Sequence, residues 1–403
     1  MDGKRCSLIR DLDMGRSRHN VTLAMILAVG GSFAWIQPQH YFIVVAFVVV
    51  LLTASNLRDF GPARMAGGLA IALTCTLPIF VSGLLNQSPA FEYLGLLAFL
   101  LFGISAYVAG SSMADNDMSN AIGASALPCL AIAISASAIF GWDLFGALLS
   151  GNRYFAGINP TLLGLLGLAL SLVGLAARPL MARVPTLAFG ALIILSASSR
   201  SALLALLVAS LCYAFLAALR LRRGTAILSI CAISTFLIIA AFPDPVINAL
   251  SGLFLLDDRY RGTVTGGSGR LAIWSFFLDR WAESPLFGSG PGLLYNSSSK
   301  YVYSHNMIIQ ILSDGGLLGL LGLLVFVGAF CVALFRSSTE DQAVGFTALA
   351  AYVSYGIFEG RAVSIGNPLS VYFFLICFLV IGSKFGSADK LRRASAWHQT
   401  FQK

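Results

Sequence analysis

Charge is what this sequence has least of. Asp, Glu, Lys and Arg together make up 11% of its 403 residues, whereas about a quarter is usual for a soluble domain. Hydrophobic residues account for 57% of the chain, and the mean hydropathy is +0.82. This balance excludes an ordinary soluble domain and predicts an all-α polytopic membrane protein.

Ionisable side chains are also nearly missing from the apolar segments themselves. Only His305 and Asp314 fall inside a predicted span, both near the outer end of the tenth. Ion-coupled transporters place charged or titratable groups near the middle of the membrane, commonly within inverted repeats. A transporter is therefore the minority interpretation.

Cysteine is absent from every predicted outer loop, because all seven cysteines lie in the N-terminal tail or in predicted spans. We expect no disulfides, and no Cys/His spacing indicates a metal site. The adjacent pair Asp257 and Asp258 could hold a divalent cation, but two carboxylates without further ligands are a weak signal for such a site. We predict a site without metal or cofactor, and no nucleic-acid partner.

Long apolar runs are abundant. A spanning helix needs about 20 mostly apolar residues, and about twelve segments qualify or nearly qualify: 21–36, 41–54, 65–85, 93–110, 119–140, 161–177, 184–199, 201–219, 225–242, 304–335, 342–358 and 367–382. The second is short and must tilt or include flanking residues. The tenth is too long for one straight span, and we expect Gly315-Gly316 either to break it or to mark where it leaves the bilayer.

The basic residues orient this topology. Twelve spans place both termini on one side, and most of the 26 Lys and Arg residues fall on that side, which the positive-inside rule assigns to the cytoplasm. The outer segments are basic too, and all of their cations except Lys300 are Arg, whose planar fork suits phosphate. Snorkelling to lipid headgroups is the alternative for any single Arg.

One long polar segment divides the chain into residues 1–242, an outer loop at 243–304, and residues 305–403. Within the loop, 246–256 is typical of a short interfacial helix, and 262–269 is rich in Gly, Ser and Thr and predicted to be flexible. From Arg270 onward, Leu271, Trp274, Phe277, Leu278 and Trp281 recur at helical spacing. This predicts an amphipathic helix at the membrane surface, followed by a turn at 284–292.

Three predicted helix starts carry unusual residues. Arg200, Arg270 and His305 each follow a Ser within two positions, and that Ser is a candidate N-cap. A cation in the first turn opposes the helix dipole, and a bound anion would relieve it while using the free backbone N–H groups. We predict that both Arg bind one phosphate or diphosphate. His305, if it is not merely structural, can act as a base near neutral pH.

Segments 196–206 (SASSRSALLAL), 269–292 (GRLAIWSFFLDRWAESPLFGSGPG) and 304–322 (SHNMIIQILSDGGLLGLLG) resemble the O-antigen ligase / O-antigen polymerase superfamily of bacterial inner membranes. The shared pattern is a Ser-Arg helix start, Arg-x3-Trp, a Pro-Leu-x-Gly-x-Gly turn, and a His-Asn opening a helix that carries an acidic residue. That acidic position is Asp314 here and commonly Glu in the family. The three segments cover about a seventh of the chain.

The resemblance implies an inverting, metal-independent glycosyltransferase with a GT-C-like fold and a periplasmic active site in the inner membrane. It implies that the donor is a glycan on undecaprenyl diphosphate and that the acceptor is lipid A–core. It also implies a monomeric enzyme that contacts membrane lipids. Arg200 and Arg270 would bind the diphosphate and His305 would activate the acceptor hydroxyl. The further substrate-binding candidates are Asn306, Tyr303, Asp314, Trp274, Arg153 and Arg261.

The long outer loop and the His-Asn motif are typical of the ligase branch, which is our first interpretation. A polymerase that extends another glycan through the same site is the main alternative. Relatives that glycosylate proteins rank third, since they usually have longer outer loops. The alternative that is not an enzyme is a transporter of lipid-linked oligosaccharide. This interpretation predicts that function survives His305→Ala.

Overall fold

The computed structural model describes residues 18–34, 41–88, 90–150, 154, 159–219, 266–291, 303–359 and 367–386. All regular elements in these ranges are helical. They are α1 (18–34), α2 (Tyr41–Ser55), α3 (Pro62–Leu85), α4 (Ala90–Ser111), α5 (Asp117–Ala124), α6 (Ala126–Ile139), α7 (Leu144–Ser150), α8 (Pro160–Ala176), α9 (Leu180–Ser196), α10 (Arg200–Leu219), α11 (Gly266–Glu283), α12 (Met307–Phe335), α13 (Thr339–Gly356) and α14 (Pro368–Ile381).

The predicted apolar segments overlap these helices, except 225–242, which lies outside the described residues. Among the residues that the structure describes, six helical segments are long and apolar enough to cross a membrane: Pro62–Leu85, Glu92–Ser111, Asp117–Ile139, Arg200–Leu219, Met307–Phe335 and Pro368–Gly386. The helices α2, α8 and α9 are apolar but shorter. The described part of the chain is therefore all-helical, as expected for a polytopic membrane protein. The short helix α7 was not predicted, since seven residues carry too little periodicity.

The helix α14 is the centre of the bundle. Every residue from Pro368 to Ile381 is buried, as expected for a helix that is hydrophobic on all sides. Its aromatic rings lock it to three neighbours: Phe373 stacks on Tyr352 of α13 at 4.1 Å between centroids, and Phe374 meets Phe99 of α4 edge-on at 4.8 Å. On the third side, Phe378 lies against Phe326 of α12.

The helices α8 and α10 run in the same direction, and their contacts define two ends of the bundle. Near the start of α8, Gly164 packs against Ser199, which precedes α10. At the other end, Arg183 donates to the carbonyl of Ala177 just after α8 and to the hydroxyl of Tyr213 near the end of α10, at 2.7 and 3.1 Å. The start of α8 and the start of α10 therefore share one end, called here the site end.

The helix α13 runs from the far end to the site end. Its Asp341 accepts hydrogen bonds from the backbone N–H groups of Asn116 and Ser119 at the start of α5, at 3.0 and 2.9 Å. Gly123 of α5 in turn packs against the carbonyl of Ala176, at the end of α8. Because α13 begins where α8 ends, its last residues lie at the site end together with the start of α10.

The break predicted in the tenth span is present. Gly316 has φ 64° and ψ −160° inside α12, a conformation that glycine alone adopts readily. The kink frees backbone groups, and the turn at residues 284–291 satisfies them. Leu317 N donates to Pro285 O at 2.9 Å, and Ser289 N donates to Ser313 O at 2.7 Å. These hydrogen bonds fix the turn to α12. Because α11 directly precedes the turn, α11 is held against α12 as well.

Candidate active site

A short hook, residues 303–306, leads into α12. The side chain of Asn306 accepts from the backbone N–H groups of Ile308 and Ile309 at 2.9 and 3.1 Å, which makes Asn306 the N-cap. The prediction that Ser304 caps this helix was wrong. Asn also caps well and stands nearer to the orphan N–H groups, while the Ser304 hydroxyl donates instead to the carbonyl of Asn306 at 2.7 Å.

His305 therefore lies before the helix, not in its first turn as the sequence had predicted. Its φ is +50°, a left-handed conformation that a non-glycine residue adopts at a cost of order 1–3 kcal/mol. Ser304, its neighbour, is fully buried. The imidazole itself is the open part of the hook, with 42% of the side chain exposed.

The amide of Asn306 also ties the hook to the end of α13. Its Nδ2 donates to the carbonyl of Ile357 at 3.1 Å. Because α13 ends at Gly356, the two residues that follow Ile357 are carried to the hook. These residues are Phe358 and Glu359.

Glu359 joins the two principal candidates. Its Oε2 lies 3.4 Å from Nδ1 of His305, and its Oε1 lies 3.8 Å from Nη2 of Arg270. The carboxylate side chain is 18% exposed and that of Arg270 is 27% exposed. Both distances are long for hydrogen bonds. The three groups form one electrostatic cluster, the Arg-His-Glu cluster.

Arg270 reaches this cluster from the fifth position of α11, which begins at Gly266. Residues 266–269 of the stretch predicted to be flexible are therefore helical, while 262–265 lie outside the described residues; the prediction of Arg270 in the first helical turn was wrong. Intrinsic propensity disfavours glycine in helices, but here tertiary context overrides it. The guanidinium lies 5.7 Å from the ring centroid of Phe358, within range of a cation–π contact.

The amphipathic face of α11 is only partly used for packing. Phe277 is fully buried and anchors the helix, whereas Leu271 is 63% exposed. Trp281 donates from Nε1 to the carbonyl of Pro285 at 3.0 Å and so stabilises the turn that follows. Trp274, one turn beyond Arg270, has a buried indole N–H without a hydrogen-bond partner in the described part of the chain.

Arg200 opens α10, as predicted, and lies half-buried. The antiparallel packing of α10 and α13 places it at the site end, the same end as Glu359. The structure thus brings Arg270, His305 and Glu359 into contact range and sets Arg200 at the same end of the bundle. Tyr303 begins the hook and is half-buried. Arg153 and Arg261 lie outside the described residues.

Asp314 does not turn toward an Arg in the described structure. Its Oδ1 accepts from Nε2 of Gln310 at 2.9 Å, one turn earlier on α12. Gln310 uses its oxygen to accept from the backbone N–H of Ser304 at 3.0 Å. The acidic residue after the His-Asn motif therefore supports the hook from within the helix.

The cluster combines three chemical capacities. A carboxylate that accepts from Nδ1–H of His305 fixes the tautomer whose Nε2 can take a proton from a substrate. A guanidinium at the same site can bind an anionic group. No group of three or more His, Cys, Asp or Glu side chains among the described residues could hold a metal ion.

Glu359 is the residue that sequence reasoning missed. It stands at the end of the eleventh predicted span, in Phe358-Glu359-Gly360-Arg361. An acidic residue at the outer end of an otherwise apolar helix was the available signal. It carried no motif, and its role depends on a tertiary contact across 54 residues.

The fold and the Arg-His-Glu cluster are those of a polytopic helical membrane protein with a polar site at one end of its bundle. A family model described as O-antigen ligase matches residues 185–324. This match confirms the resemblance to the O-antigen ligase / O-antigen polymerase superfamily. It includes Arg200, Arg270 and His305 and ends before Glu359. No curated protein and no solved structure matches the chain.

Proposed function

We propose that this protein is an O-antigen ligase, a glycosyltransferase that moves a glycan from undecaprenyl diphosphate to a sugar hydroxyl of lipid A–core. The observation that carries the proposal is the position of Glu359, 3.4 Å from the imidazole of His305 and 3.8 Å from the guanidinium of Arg270. It unites a base and an anion-binding group in one site. The family match over residues 185–324 supports the same assignment.

His305 acts on the acceptor in this proposal. Nδ1–H donates to Glu359, so the lone pair of Nε2 accepts the proton of the acceptor hydroxyl. The acceptor oxygen then forms a bond to the anomeric carbon of the donor glycan, while the bond from that carbon to the diphosphate oxygen breaks. The bonding electron pair leaves with undecaprenyl diphosphate. In-line attack inverts the anomeric centre, and general-base help typically contributes about 10²–10⁴-fold.

Arg270 and Arg200 bind the donor diphosphate and stabilise the charge that develops on the leaving oxygen. One preorganised donor of this kind is worth about 3 kcal/mol in a site bordered by low dielectric. An arriving diphosphate competes with the carboxylate of Glu359 for the guanidinium of Arg270. The long Arg270–Glu359 distance of 3.8 Å makes this ion pair easy to replace. Arg supplies the charge neutralisation that other phosphate-handling enzymes obtain from a metal ion.

The remaining candidates take supporting roles. Trp274 offers a buried indole N–H beside Arg270, and we keep it as a substrate contact together with Tyr303, Arg153 and Arg261. We assign Asn306 and Asp314 to holding the hook, since each side chain is hydrogen-bonded within the protein.

The membrane arrangement follows from the same proposal. The enzyme is a monomer of about twelve spans with a GT-C-like fold in the bacterial inner membrane. Both termini are cytoplasmic, and the site end faces the periplasm. The surplus of basic residues in the predicted cytoplasmic segments supports this orientation, and Arg183, Arg336 and Lys384 belong to that side.

A polymerase that extends one lipid-linked glycan with another would use the same cluster and the same diphosphate chemistry. The two functions differ only in the acceptor. The matched family model is described as O-antigen ligase, which favours lipid A–core. A transporter of the lipid-linked glycan would not need an imidazole held by a carboxylate.

Complementation of a ligase-null Gram-negative strain that makes the native glycan tests the proposal. Wild type, Arg270→Ala and His305→Ala are compared at equal membrane levels, and both the lipopolysaccharide ladder and the lipid-linked glycan are measured. Arg280→Ala is the matched control, because it removes an Arg from the same helix ten residues further on.

We expect wild type and Arg280→Ala to carry long glycans on lipid A–core, while the two site variants leave glycan on the lipid carrier. A glycan that is a single repeat without the protein and lengthens with it would establish a polymerase instead. Full function of His305→Ala would favour the transporter.

A further inference from the structure

Gln310 lies between the hook and Asp314 and contacts both. Its Oε1 accepts from the backbone N–H of Ser304 at 3.0 Å, and its Nε2 donates to Oδ1 of Asp314 at 2.9 Å. A backbone N–H can only donate, so the amide oxygen must face Ser304 and the amide nitrogen must face Asp314. Both ends of the side chain are therefore committed.

The N–H that Gln310 accepts has no access to water, because Ser304 is fully buried. A buried N–H without a partner costs much of its desolvation free energy, so this hydrogen bond holds the hook in place. The next residue is His305, in the left-handed conformation with φ +50°. Such a conformation persists only where its surroundings enforce it.

Two anchors enclose His305. On its C-terminal side, Asn306 caps α12 and donates to the carbonyl of Ile357. On its N-terminal side, Ser304 is held by Gln310, which Asp314 orients. The imidazole between them meets Glu359 at only 3.4 Å, so a shift of the hook by a fraction of an ångström breaks this contact.

We propose that Gln310, oriented by Asp314, is a positioning residue that fixes the backbone of His305 and thereby aims its imidazole at the acceptor. This inference rests on the proposed function insofar as His305 acts on the acceptor. Asp314 then acts through Gln310, and Oδ1 of its carboxyl group serves as a hydrogen-bond acceptor rather than as a substrate ligand.

The amide of Gln310 and the carboxyl group of Asp314 can be exchanged between the two positions without losing either hydrogen bond. In Gln310→Glu alone, the new carboxylate still accepts from Ser304 but faces the carboxyl group of Asp314. In the double variant Gln310→Glu with Asp314→Asn, the carboxylate accepts from Ser304 and also from Nδ2 of the new Asn. The number of carboxyl groups is unchanged, and both contacts are restored.

Membranes that contain equal amounts of each variant are assayed for transfer of the native glycan to lipid A–core, over a range of donor concentrations. We expect Gln310→Leu and Gln310→Glu to lower kcat by ~10-fold or more, a part of the general-base contribution, with the donor KM unchanged. We expect Asp314→Asn alone to remain within about threefold of wild type, because its Oδ1 can still accept from Gln310. The double variant should recover most of the loss of Gln310→Glu.

Wild-type kcat in Gln310→Leu, or a double variant no more active per membrane-embedded molecule than Gln310→Glu, would overturn the inference. His305→Ala in the same assay separates it from the proposed function. If His305→Ala transfers glycan like wild type, the proposed function fails. If His305→Ala is inactive and Gln310→Leu is not impaired, only the positioning role fails.

Discussion

Oε2 of Glu359 lies 3.4 Å from Nδ1 of His305, although the two residues belong to the ends of different helices. The contact exists because Asn306 donates to the carbonyl of Ile357 and fastens the end of α13 to the start of α12. Asn306 therefore has two roles: it caps α12, and it holds the end of α13 next to His305. The same carboxylate reaches Arg270 at 3.8 Å, so loss of Glu359 should affect both partners.

Replacement of Glu359 tests this contact. Glu359→Gln keeps an oxygen that can accept from Nδ1–H, but it loses the charge that stabilises a protonated imidazole. We expect transfer to fall ~10-fold in Glu359→Gln and further in Glu359→Ala, which removes the acceptor as well. Glycan transfer is measured per molecule in membranes, with Glu283→Gln on α11 as the control. Equal activity of wild type and Glu359→Ala would contradict the role of the carboxylate.

Two substitutions of Arg270 separate the contribution of its positive charge from that of its planar guanidinium geometry. Arg270→Lys keeps a positive charge but loses the planar fork and contacts phosphate as a point charge. We expect Arg270→Lys to raise the donor concentration needed for half-maximal transfer and Arg270→Ala to lower the maximal rate by ~100-fold or more, which corresponds to about 3 kcal/mol. Donor titration of transfer in membranes measures both. Identical kinetics for the Lys and Ala variants would mean that charge plays no part.

The helices could be predicted from the sequence because apolar runs and helix breakers are local signals, and the candidate site residues were singled out by local motifs. Apolar runs and Gly315-Gly316 predicted the spans and the kink, and the three motifs located Arg200, Arg270 and His305. Helix boundaries were harder: α11 begins at Gly266, and Asn306 rather than Ser304 caps α12. In both cases several neighbouring residues can start a helix, and tertiary contacts select among them. Glu359 could not be predicted, since nothing near it in sequence indicates that it meets His305.

Gly288 and Gly316 should tolerate no side chain. Gly288 has φ +72°, and a Cβ there would lie 2.6 Å from the backbone nitrogen of Gly316, whose own Cβ would strike the carbonyl of Leu286. We expect Gly288→Ala and Gly316→Ala each to lose about 1–3 kcal/mol of stability from backbone strain alone, and to lower transfer because α11 is displaced from α12. Thermal unfolding of the purified protein and transfer in membranes measure the two effects.

Gly328 offers the matched control for these variants. It lies in the same helix, α12, and a Cβ there would meet no atom within 4 Å. Ala is a better helix former than Gly by about 1 kcal/mol, so Gly328→Ala should unfold at the wild-type temperature or above and transfer normally. If Gly316→Ala behaved like Gly328→Ala, the turn at 284–291 would not depend on the close backbone contact.

A substitution of Asp341 should change the stability of the fold but not the rate of transfer, because this residue lies at the far end of the bundle from the candidate site. Its buried carboxylate accepts from the N–H groups of Asn116 and Ser119, which also places negative charge at the start of α5, where the helix dipole favours it. Asp341→Asn turns one acceptor into a donor and leaves an N–H unpaired, which costs about 1–3 kcal/mol. We expect a lower unfolding temperature but unchanged kcat per folded molecule. A fall in kcat with normal stability would mean that the two ends of the bundle are coupled, and that the site depends on more than the contacts of α11, α12 and α13.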